Sequence, residues 1–327
     1  MSDHFIKNIE IDNFKCFHSF KAKGFKRVNL IGGKNNVGKT AFMEACKIGI
    51  NADDIKGFTG ALVGVKVSRE NINILTGLVD KTLNINDKMI QEFLQPFSGL
   101  KLIINNQKKS FFIKEELGIK SYSFNIDDEL LDIKIKDFLF EGSAKENLRF
   151  IDNFGLSSSH IIKDFSAIQK KDEESFLNNI INQFDSNIKS FKIIDDKPQC
   201  KMNDNYYEIT EFGDGLRHII SIVIELFKCE DGHLFIDEID NGIHYTQLDE
   251  IWKVIFQISD KLDVQIFATT HSKECIDSYA RVAKKLKDEN TTFIALGRDK
   301  ESQLKAIVMK SERFYRELRD GNGVRGW

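Results

Sequence analysis

The chain has 327 residues, and its 47 Lys and Arg against 50 Asp and Glu give a formal net charge of −3. This near-neutral balance argues against a strongly basic nucleic-acid coat protein and against a polybasic membrane-binding protein. Hydrophobic residues make up 41% of the chain, which is enough for a core and excludes intrinsic disorder for most of it. The length predicts about two domains, or one large domain with an insertion.

The cysteine content and the apolar runs bear on where the protein works. The chain has 5 Cys, an odd number, and no Cys-x-x-Cys pair, which favours reduced thiols over a disulfide framework or a zinc site. The first residues contain no apolar stretch of signal-peptide length. No apolar run reaches the roughly 18–20 residues that a membrane-spanning helix needs. We therefore expect a cytoplasmic protein that does not enter a membrane.

The first fifty residues predict strands, a loop and a helix. The apolar pattern predicts strands over 5–11, 14–20 and 27–31, and a helix over 41–50. The segment between the third strand and the helix has the spacing G-x-x-x-x-G-K-[ST], which is typical of a phosphate-binding loop in this context. The residues of this candidate loop, with the first residue of the predicted helix, are Gly33, Lys34, Asn35, Asn36, Val37, Gly38, Lys39, Thr40 and Ala41.

The residue types in this loop suit the binding of a nucleoside triphosphate. Glycine lets the backbone bend so that several N–H groups point at phosphate oxygens. The helix that follows adds the positive end of its dipole. We expect Lys39 to reach the β- and γ-phosphates and the Thr40 hydroxyl to bind Mg²⁺. The alternative interpretation is a Gly- and Asn-rich turn without a ligand.

The middle of the chain has a less regular pattern. Gly57, Gly60 and Gly64 interrupt the first part of 53–98, and a helix is predicted to end near Pro96. The other predictions for this part are an antiparallel meander over 100–126, mixed helix and loop over 143–170, an amphipathic helix over 172–189, and two strands over 191–195 and 206–209 with a turn near Pro198.

The last third of the chain alternates between strands and helices. Strands are predicted over 233–237, 264–269 and 291–296, with a short one near 304–309, and helices over 215–228, 246–260, 272–287 and 311–319. This alternation predicts a parallel sheet with helices on its faces.

Three polar groups lie at the ends of these predicted elements, where α/β sheets bind ligands. Asp237 and Glu238 end an apolar strand, so we expect Asp237 to hold Mg²⁺ and Glu238 to orient or deprotonate the attacking water. His271 follows the next strand and is expected to contact the γ-phosphate. A glycine-rich turn at a helix N-terminus is a further candidate anion site, and its residues are Gly213, Asp214 and Gly215.

The order of these motifs resembles that of the ABC-type ATPase heads, a superfamily that includes SMC, RecF and OLD-family proteins. GKNNVGKT resembles the Walker A motif, FGDGL the signature, LFIDEID the Walker B motif and TTHS the histidine switch. The match is closer to small OLD-like ATPases, whose motifs are similar to GDGLRH (213–218), DEIDNGIH (237–244) and FATTHS (267–272). In the second of these, NGIH lies at the position of the D-loop.

The resemblance implies an α/β fold of the ABC-ATPase head type, with a mixed parallel and antiparallel sheet and an insertion lobe of helices and strands. The implied units are an ATPase core over 1–52 and 205–310, an insertion over 53–204, and a C-terminal helix and tail over 311–327. Asn36 stands where SMC-type loops usually have glycine, and asparagine tolerates unusual backbone angles better than most residues. Gln91, Gln95 and Gln107 remain alternatives for the Q-loop glutamine.

The resemblance also implies how such a protein acts. ATP and Mg²⁺ are the implied cofactors, with slow hydrolysis to ADP and phosphate. The implied assembly is a homodimer or larger homo-oligomer, in which the signature turn of one chain covers the ATP of the other. OLD nucleases add a Toprim domain, for which the segment after His271 is too short, so we expect no nuclease activity and a separate effector protein. Two-component phage-defence systems such as PARIS pair an ATPase of this kind with a Toprim-like effector.

Two other functions remain as alternatives at this point. The first is a DNA-maintenance ATPase of the RecF or SMC kind that clamps nucleic acid, and the near-neutral charge argues mildly against it. The second is a GTPase or kinase, which the absence of the Asn/Thr-Lys-x-Asp guanine code disfavours. The basic run of Lys284, Lys285 and Lys287 is offset by Asp288 and Glu289, which favours a solvated helix face over a DNA-binding patch.

Overall fold

The computed structural model describes residues 2–69, 87–116, 119–134, 145–153 and 155–320. Within these ranges the strands form two six-stranded sheets and one three-stranded sheet, and helices flank them. This mixed α/β architecture, with parallel and antiparallel strand pairs, confirms the predicted fold class. In the same ranges, no helix is both long and apolar enough to cross a membrane.

The central sheet carries the candidate loop and the two carboxylates. Its strands are β3 (Val28–Gly32), β8 (Leu148–Ile151), β12 (His233–Ile236), β13 (Gln265–Thr270), β14 (Thr291–Arg298) and β15 (Leu304–Lys310). Their order is β15-β14-β3-β13-β12-β8, and every neighbouring pair is parallel except β14 with β15. β3, β12 and β13 are buried along their whole length, as expected for parallel strands covered on both faces.

The second six-stranded sheet is antiparallel. It consists of β1 (Asn8–Phe14), β2 (Phe17–Lys23), β4 (Leu100–Ile104), β5 (Gln107–Glu116), β6 (Ile119–Ile126) and β7 (Glu129–Lys134), in the order β2-β1-β4-β5-β6-β7. Two-residue turns join β4 to β5 and β6 to β7, and their residues have positive φ: Asn105, Asn106, Asp127 and Asp128. Asn and Asp tolerate this left-handed region, so these pairs fix the hairpins. The predicted meander is therefore present, and β7 extends it by one strand.

The hairpin of β1 and β2 differs in register from the prediction. The strands predicted over 5–11 and 14–20 put the turn at 12–13, but Phe14 pairs with Phe17 in the structure. Both phenylalanines are almost completely buried, so this apolar pair closes the hairpin. The turn consequently falls on the two residues between them, three positions later than predicted.

The three-stranded sheet corrects a second prediction. Three strands, β9 (Ile188–Ile194), β10 (Lys197–Met202) and β11 (Asn205–Glu208), replace the two that were predicted. Pro198 lies inside β10, opposite Ile193, and the turn is formed by Asp195 and Asp196. β10 pairs with β11 only from Gln199 onward. No residue of β11 therefore lies opposite Pro198, which has no N–H to donate.

The helices match the predictions closely in the last third and less well in the middle. They are α1 (Lys39–Asn51), α2 (Ile55–Arg69), α3 (Asp87–Leu94), α4 (Ser158–Gln169), α5 (Glu174–Phe184), α6 (Asp214–Lys228), α7 (Leu248–Lys261), α8 (Lys273–Leu286) and α9 (Ser311–Arg319). α2 was not predicted because of its three glycines. One of them, Gly57, lies so close to the Asn51 carbonyl that a Cβ atom would be 2.1 Å from that oxygen. The predicted helix over 172–189 ends at Phe184, and the chain then turns into β9.

The central sheet separates two apolar clusters. Successive residues of its strands face opposite sides, so Leu234 and Ile266 contribute to the cluster under α4 to α8, while Phe235 and Phe267 contribute to the other. The second cluster fills the space between the two large sheets and contains α1. The helix that follows the candidate loop is therefore packed between two sheets, which fixes its N-terminus.

The division of the chain into a core over 1–52 and 205–310, an insertion over 53–204 and a tail over 311–327 stays a prediction. Strands from the middle segment extend both large sheets, because β4 pairs with β1 and β8 pairs with β12. Residues 321–327, including the terminal Trp327, lie outside the described residues.

Candidate functional site

The candidate site lies where three parallel strands end side by side. β3 ends at Gly32, which pairs with Thr270 at the end of β13, and Ile236 at the end of β12 pairs with Ala268. The loops that follow these strands contain the candidate phosphate loop, the two carboxylates and the histidine. The structure thus brings three of the predicted motif segments to one edge of the central sheet, although they are far apart in sequence.

The candidate phosphate loop has the backbone geometry that its glycines and asparagines allow. Gly38 has φ 104°, and a Cβ atom there would lie 2.7 Å from the Cys16 sulfur. Asn36 has φ 59°, in the left-handed region that asparagine tolerates. At Gly33 a Cβ atom would lie 2.8 Å from the Leu296 carbonyl oxygen. Larger residues at the two glycines would force this loop out of its place.

Lys39 lies across the loop and is buried, with only 7% of its surface exposed. Its Nζ donates hydrogen bonds to the carbonyl oxygens of Gly33, at 3.0 Å, and Lys34, at 3.1 Å. Burial lowers the pKa of Lys39, and the negative charges of Asp237 and Glu238 act against this shift. The ammonium is thus bonded to neutral carbonyls inside the loop, a position in which an added anion is favoured.

Asp237 is held by two threonine hydroxyls from different elements. Thr40 at the start of α1 donates to Oδ2 at 2.8 Å, and Thr269 in β13 donates to Oδ1 at 2.6 Å. The Asp237 amide donates to the Ile151 carbonyl in β8 at 2.9 Å. The carboxylate predicted from the end of an apolar strand therefore lies directly beside the predicted hydroxyl of the loop.

Glu238 and His271 also come together. Glu238 has φ 49°, and its amide donates to the Thr269 hydroxyl at 2.9 Å. His271 Nδ1 lies 3.9 Å from Glu238 Oε1, and the two side chains are 50% and 36% exposed. Thr270 donates to Asp240 at 2.6 Å, which ties the end of β13 to the segment after Glu238. The Glu238 and His271 side chains are accessible, whereas Thr269 and Thr270, which bond to the segment of Glu238, are fully buried.

Loop residues and the two carboxylates line an open cleft of about 550 Å³, within the size range of small-molecule sites, and His271 lies outside this lining. Its lining consists of Lys15, Cys16, Asn35, Asn36, Gly38, Lys39, Thr40, Ala41, Asp237 and Glu238. Of the other predicted loop residues, Gly33 and Lys34 bond to Lys39 through their carbonyls, and Val37 is buried. None of Gln91, Gln95 and Gln107, all within the described ranges, belongs to the lining.

Sequence reasoning did not assign Lys15, Cys16 or Thr269 to the site. The first two reach the cleft because the first hairpin turns at 15–16 rather than at 12–13. Thr269 belongs to the TTHS motif, but a threonine at the end of a buried strand has no sequence signal that separates it from an ordinary β-strand residue. Its role depends on the strand register, which places it between Asp237 and the Glu238 amide.

The glycine-rich turn at the start of α6 occupies a different place. Gly213 and Asp214 are exposed, and Gly215 is buried. None of the three lines the cleft. A Cβ atom at Gly215 would lie 2.2 Å from the carbonyl oxygen of Gly242, so the turn touches the segment that follows Asp237 and Glu238. Within one chain, the turn is therefore not part of the site that holds Lys39.

The oxygen atoms of Thr40 and Asp237 are the kind of ligands that Mg²⁺ prefers. Within the described residues, no group of three or more His, Cys, Asp and Glu side chains is arranged to hold a metal ion alone. This composition fits a Mg²⁺ ion that takes one or two protein ligands and completes its shell with water and phosphate oxygens. The donor set is therefore compatible with a metal–nucleotide complex.

Comparison with known proteins gives a family match and a curated relative. The sequence model of a family described as an AAA ATPase domain matches residues 80–276, more than half of the chain. The matched segment begins after the candidate phosphate loop and includes Asp237, Glu238 and His271. A curated protein of Helicobacter pylori (strain ATCC 700392 / 26695), named ATP/GTP phosphatase, is 25% identical and covers 85% of this chain and 88% of its own.

Two solved structures show the same fold as this chain. A crystal structure of an SMC head bound to the C-winged helix domain of ScpA covers 94% of this chain and 99% of that chain, with 12% identity and a TM-score of 0.53. An SMC head domain from Pyrococcus furiosus, with an extended coiled coil and bound to the C-terminal domain of ScpA, covers 98% and 100%, with 10% identity and a TM-score of 0.51. At these identities the likeness concerns the fold alone.

We expect Thr269→Val to lower the free energy of unfolding by about 1–3 kcal/mol, because it leaves the Glu238 amide and an Asp237 oxygen without their shared partner. Thr269→Ser keeps the hydroxyl and should retain most of that stability. Chemical denaturation of the two variants and the wild type measures the difference. Equal losses in both variants would contradict this role of the hydrogen bonds, because only Thr269→Ser keeps the hydroxyl that makes them.

Proposed function

Because the chain belongs to the AAA ATPase domain family, we propose that the cleft at the edge of its central sheet binds ATP with Mg²⁺ and hydrolyses it to ADP and phosphate. The observation that carries this proposal is the direct hydrogen bond between Thr40 and Asp237, 2.8 Å long. It joins the end of the phosphate loop to the carboxylate of a neighbouring strand. The relative named ATP/GTP phosphatase supports the same activity.

The binding residues follow from the geometry of the loop. The buried Lys39 ammonium exchanges its bonds to the loop carbonyls for the β- and γ-phosphate oxygens. The backbone N–H groups of 33–38 and the N-terminus of α1 supply further donors to the phosphates. Thr40 and Asp237 hold Mg²⁺, which when bound offsets the negative charge that develops on the transferred phosphoryl group.

Glu238 and His271 are the residues that we propose for the chemical step. Glu238 lines the cleft, and its backbone is fixed by the buried Thr269 hydroxyl, so its carboxylate is placed to orient and deprotonate a water molecule. His271 lies 3.9 Å from that carboxylate and is half exposed, so it can contact the γ-phosphate from the same side. Loss of the γ-phosphate would then change the contacts of both residues.

We propose that two chains meet head to head, with Gly213, Asp214 and Gly215 of one chain on the ATP held by the other. Two observations support this arrangement: the turn is exposed at Gly213 and Asp214, and it does not line the cleft of its own chain. Gly213 is the N-cap of α6, and a Cβ atom there would have nothing within 4 Å, so the backbone is open to a partner's phosphate. Larger homo-oligomers built from such dimers need a second interface, which the 53–204 segment is proposed to supply.

At a finer level, we propose an OLD-like ATPase that acts as the sensor or scaffold of a bacterial phage-defence system and controls a separate, Toprim-like effector. The support is the resemblance of GDGLRH, DEIDNGIH and FATTHS to the motifs of small OLD-like ATPases. An ATPase of this kind passes its nucleotide state to a partner through the difference in affinity between its nucleotide forms.

The second candidate function is a nucleic-acid clamp of the RecF or SMC kind. The fold likeness to SMC heads favours it. An ion pair favours it as well. In the sequence, Asp288 offsets the charge of the basic run at the end of α8, but in the structure its carboxylate pairs with the buried Arg27. Lys284 and Lys285 are exposed there. A local basic surface is compatible with phosphate contacts even in a chain of near-neutral charge.

The roles of Lys39 and Glu238 can be separated by two substitutions. We expect Lys39→Ala to abolish ATP binding, because the phosphates lose their principal cationic partner. We expect Glu238→Gln to bind ATP but to hydrolyse it at least about a hundredfold more slowly, as when a positioned base is lost. Nucleotide titration and phosphate release measure the two effects. Normal binding by Lys39→Ala would overturn the phosphate-loop assignment, and wild-type turnover by Glu238→Gln would place the base elsewhere.

The composite site can be tested by mixing two inactive chains. Gly213→Arg adds its side chain to open space and should block hydrolysis while leaving ATP binding intact. Mixed with Lys39→Ala, it should recover part of the activity, because one of the two sites in a mixed dimer is intact. Gly215→Arg is unsuitable for this test, because its side chain would collide with Gly242 of the same chain. Absence of recovery, with an ATP-bound protein that stays monomeric in light scattering, would count against composite sites.

The proposed effector can be sought with the slow variant. Pull-downs from the native host should recover a co-encoded partner in different amounts with Glu238→Gln in ATP and with the wild type in ADP, because only one nucleotide form favours the complex. The Lys39→Ala variant is the matched control without nucleotide. Hydrolysis that is instead stimulated by DNA, and no longer so when Lys284, Lys285 and Lys287 are changed to Glu, would favour the clamp.

A further inference from the structure

A short connection between β8 and α4 touches three parts of the site machinery. This connection spans 152–157 and is described except for residue 154. It begins next to Ile151, whose carbonyl accepts the hydrogen bond of the Asp237 amide at 2.9 Å. Further along, the Asn153 carbonyl accepts a hydrogen bond from Asn241 Nδ2 at 2.5 Å. The connection is thus tied to the Walker B end of β12 and to the D-loop position that follows it.

The same connection is tied to the helix that carries the signature turn. The Leu156 carbonyl accepts a hydrogen bond from Arg217 Nε at 2.8 Å, and the Leu156 amide donates to the Ser221 hydroxyl at 2.9 Å. Gly155 has φ 74°, and a Cβ atom there would lie 3.2 Å from the Ser221 hydroxyl. The backbone therefore lies flat on the first two turns of α6, a path that a larger residue at this position would disturb.

The D-loop and the signature turn also touch each other directly. A Cβ atom at Gly215 would be 2.2 Å from the Gly242 carbonyl oxygen, and one at Gly242 would be 2.9 Å from the Gly215 nitrogen. Gly242 has φ 70°, so its backbone conformation as well as its lack of a side chain permits this approach. Two backbone segments in such close contact cannot slide past each other without a break in the packing.

We propose that Asn241 and Arg217 are positioning residues that fasten the D-loop and the signature helix to this one connection. The inference rests on the proposed function, in which the signature turn serves the ATP of the partner chain. Asn241 lies three residues after Glu238, and its backbone N–H donates a hydrogen bond to the Glu238 carbonyl at 2.8 Å. A change at the Walker B end of one chain is thereby passed to the turn that completes the other site.

The structure offers a matched control at the opposite end of the same strand. Asn147, just before β8, makes the same type of bond as Asn241: its Nδ2 donates to the Asp231 carbonyl at 2.8 Å. Asn147→Ala and Asn241→Ala therefore remove the same chemical group from the two ends of β8. Only the bond of Asn241 joins the D-loop to the connection. An effect that comes from a general loss of strand stability should therefore appear in both variants, and an effect of the D-loop only in Asn241→Ala.

The first measurement is the split between turnover and binding. We expect Asn241→Ala to lower kcat about three- to thirtyfold, the range expected for a coupling residue, with ATP affinity nearly unchanged. Asn147→Ala should keep the wild-type kcat. Arg217→Met should lower kcat as Asn241→Ala does, and Arg217→Lys, which keeps a donor for Leu156, should recover part of the loss. Because both side chains act through one connection, the double variant should lose less than the product of the two single effects.

The second measurement does not need enzymatic activity. Hydrogen exchange in Asn241→Ala should become about tenfold faster at the Leu156 amide and in the first turn of α6, as expected when one hydrogen bond of the network is lost. Asn147→Ala should leave both segments unchanged. Unchanged exchange at these places, or a wild-type kcat in Asn241→Ala, would overturn the inference. If Glu238→Gln hydrolyses ATP normally, the proposed function fails, and hydrogen exchange still decides whether the connection couples the two segments.

Discussion

The carboxylate of Asp237 organises the site. It accepts one hydrogen bond from Thr40 at the start of α1 and one from Thr269 in β13. Asp237 itself directly follows β12. Hydrogen bonds to a carboxylate are among the stronger ones in proteins, and the Thr269 hydroxyl is fully buried. The same hydroxyl accepts a hydrogen bond from the backbone amide of Glu238, and so fixes the left-handed backbone conformation of that residue. Three segments distant in sequence thereby meet within one hydrogen-bonded group.

The two ends of the central sheet are built in different ways. At the end opposite the cleft, the buried Arg27 pairs with Asp260 in the last turn of α7 and with Asp288 after α8. Burial lowers the pKa of Arg27, and the negative charges of Asp288 and Asp263 act against that shift. At the cleft end, lysine, asparagine, threonine and acidic side chains line an open space that can hold a ligand. Removal of an acid that pairs with Arg27 would leave the buried guanidinium without a partner, which is costly.

The sequence predicted the parts of the site that depend on local pattern. A strand, a glycine-rich loop with Lys39 and Thr40, and a helix can be recognised together, and Asp237 and Glu238 follow an unmistakable apolar strand. The parts that depend on tertiary contacts were missed. Lys15 reaches the cleft because two phenylalanines close the first hairpin later than predicted. The helix α2 forms although its glycines argue against it, because tertiary packing overrides helix propensity.

The strand pairing of β3 has a consequence for the folding of the protein during its synthesis on the ribosome. Asn29 in β3 donates a hydrogen bond to the Ile266 carbonyl of β13, a residue 237 positions further along the chain. The antiparallel hairpins of 100–134 join near neighbours and can form while synthesis continues, but β13 and β14, which flank β3, are made much later than β3. At about 5–20 residues per second, the candidate phosphate loop waits on the order of ten seconds or more for its supporting strands. The candidate cleft therefore gains the support of both flanking strands only after the segment that pairs over Thr291–Ala295 has been translated.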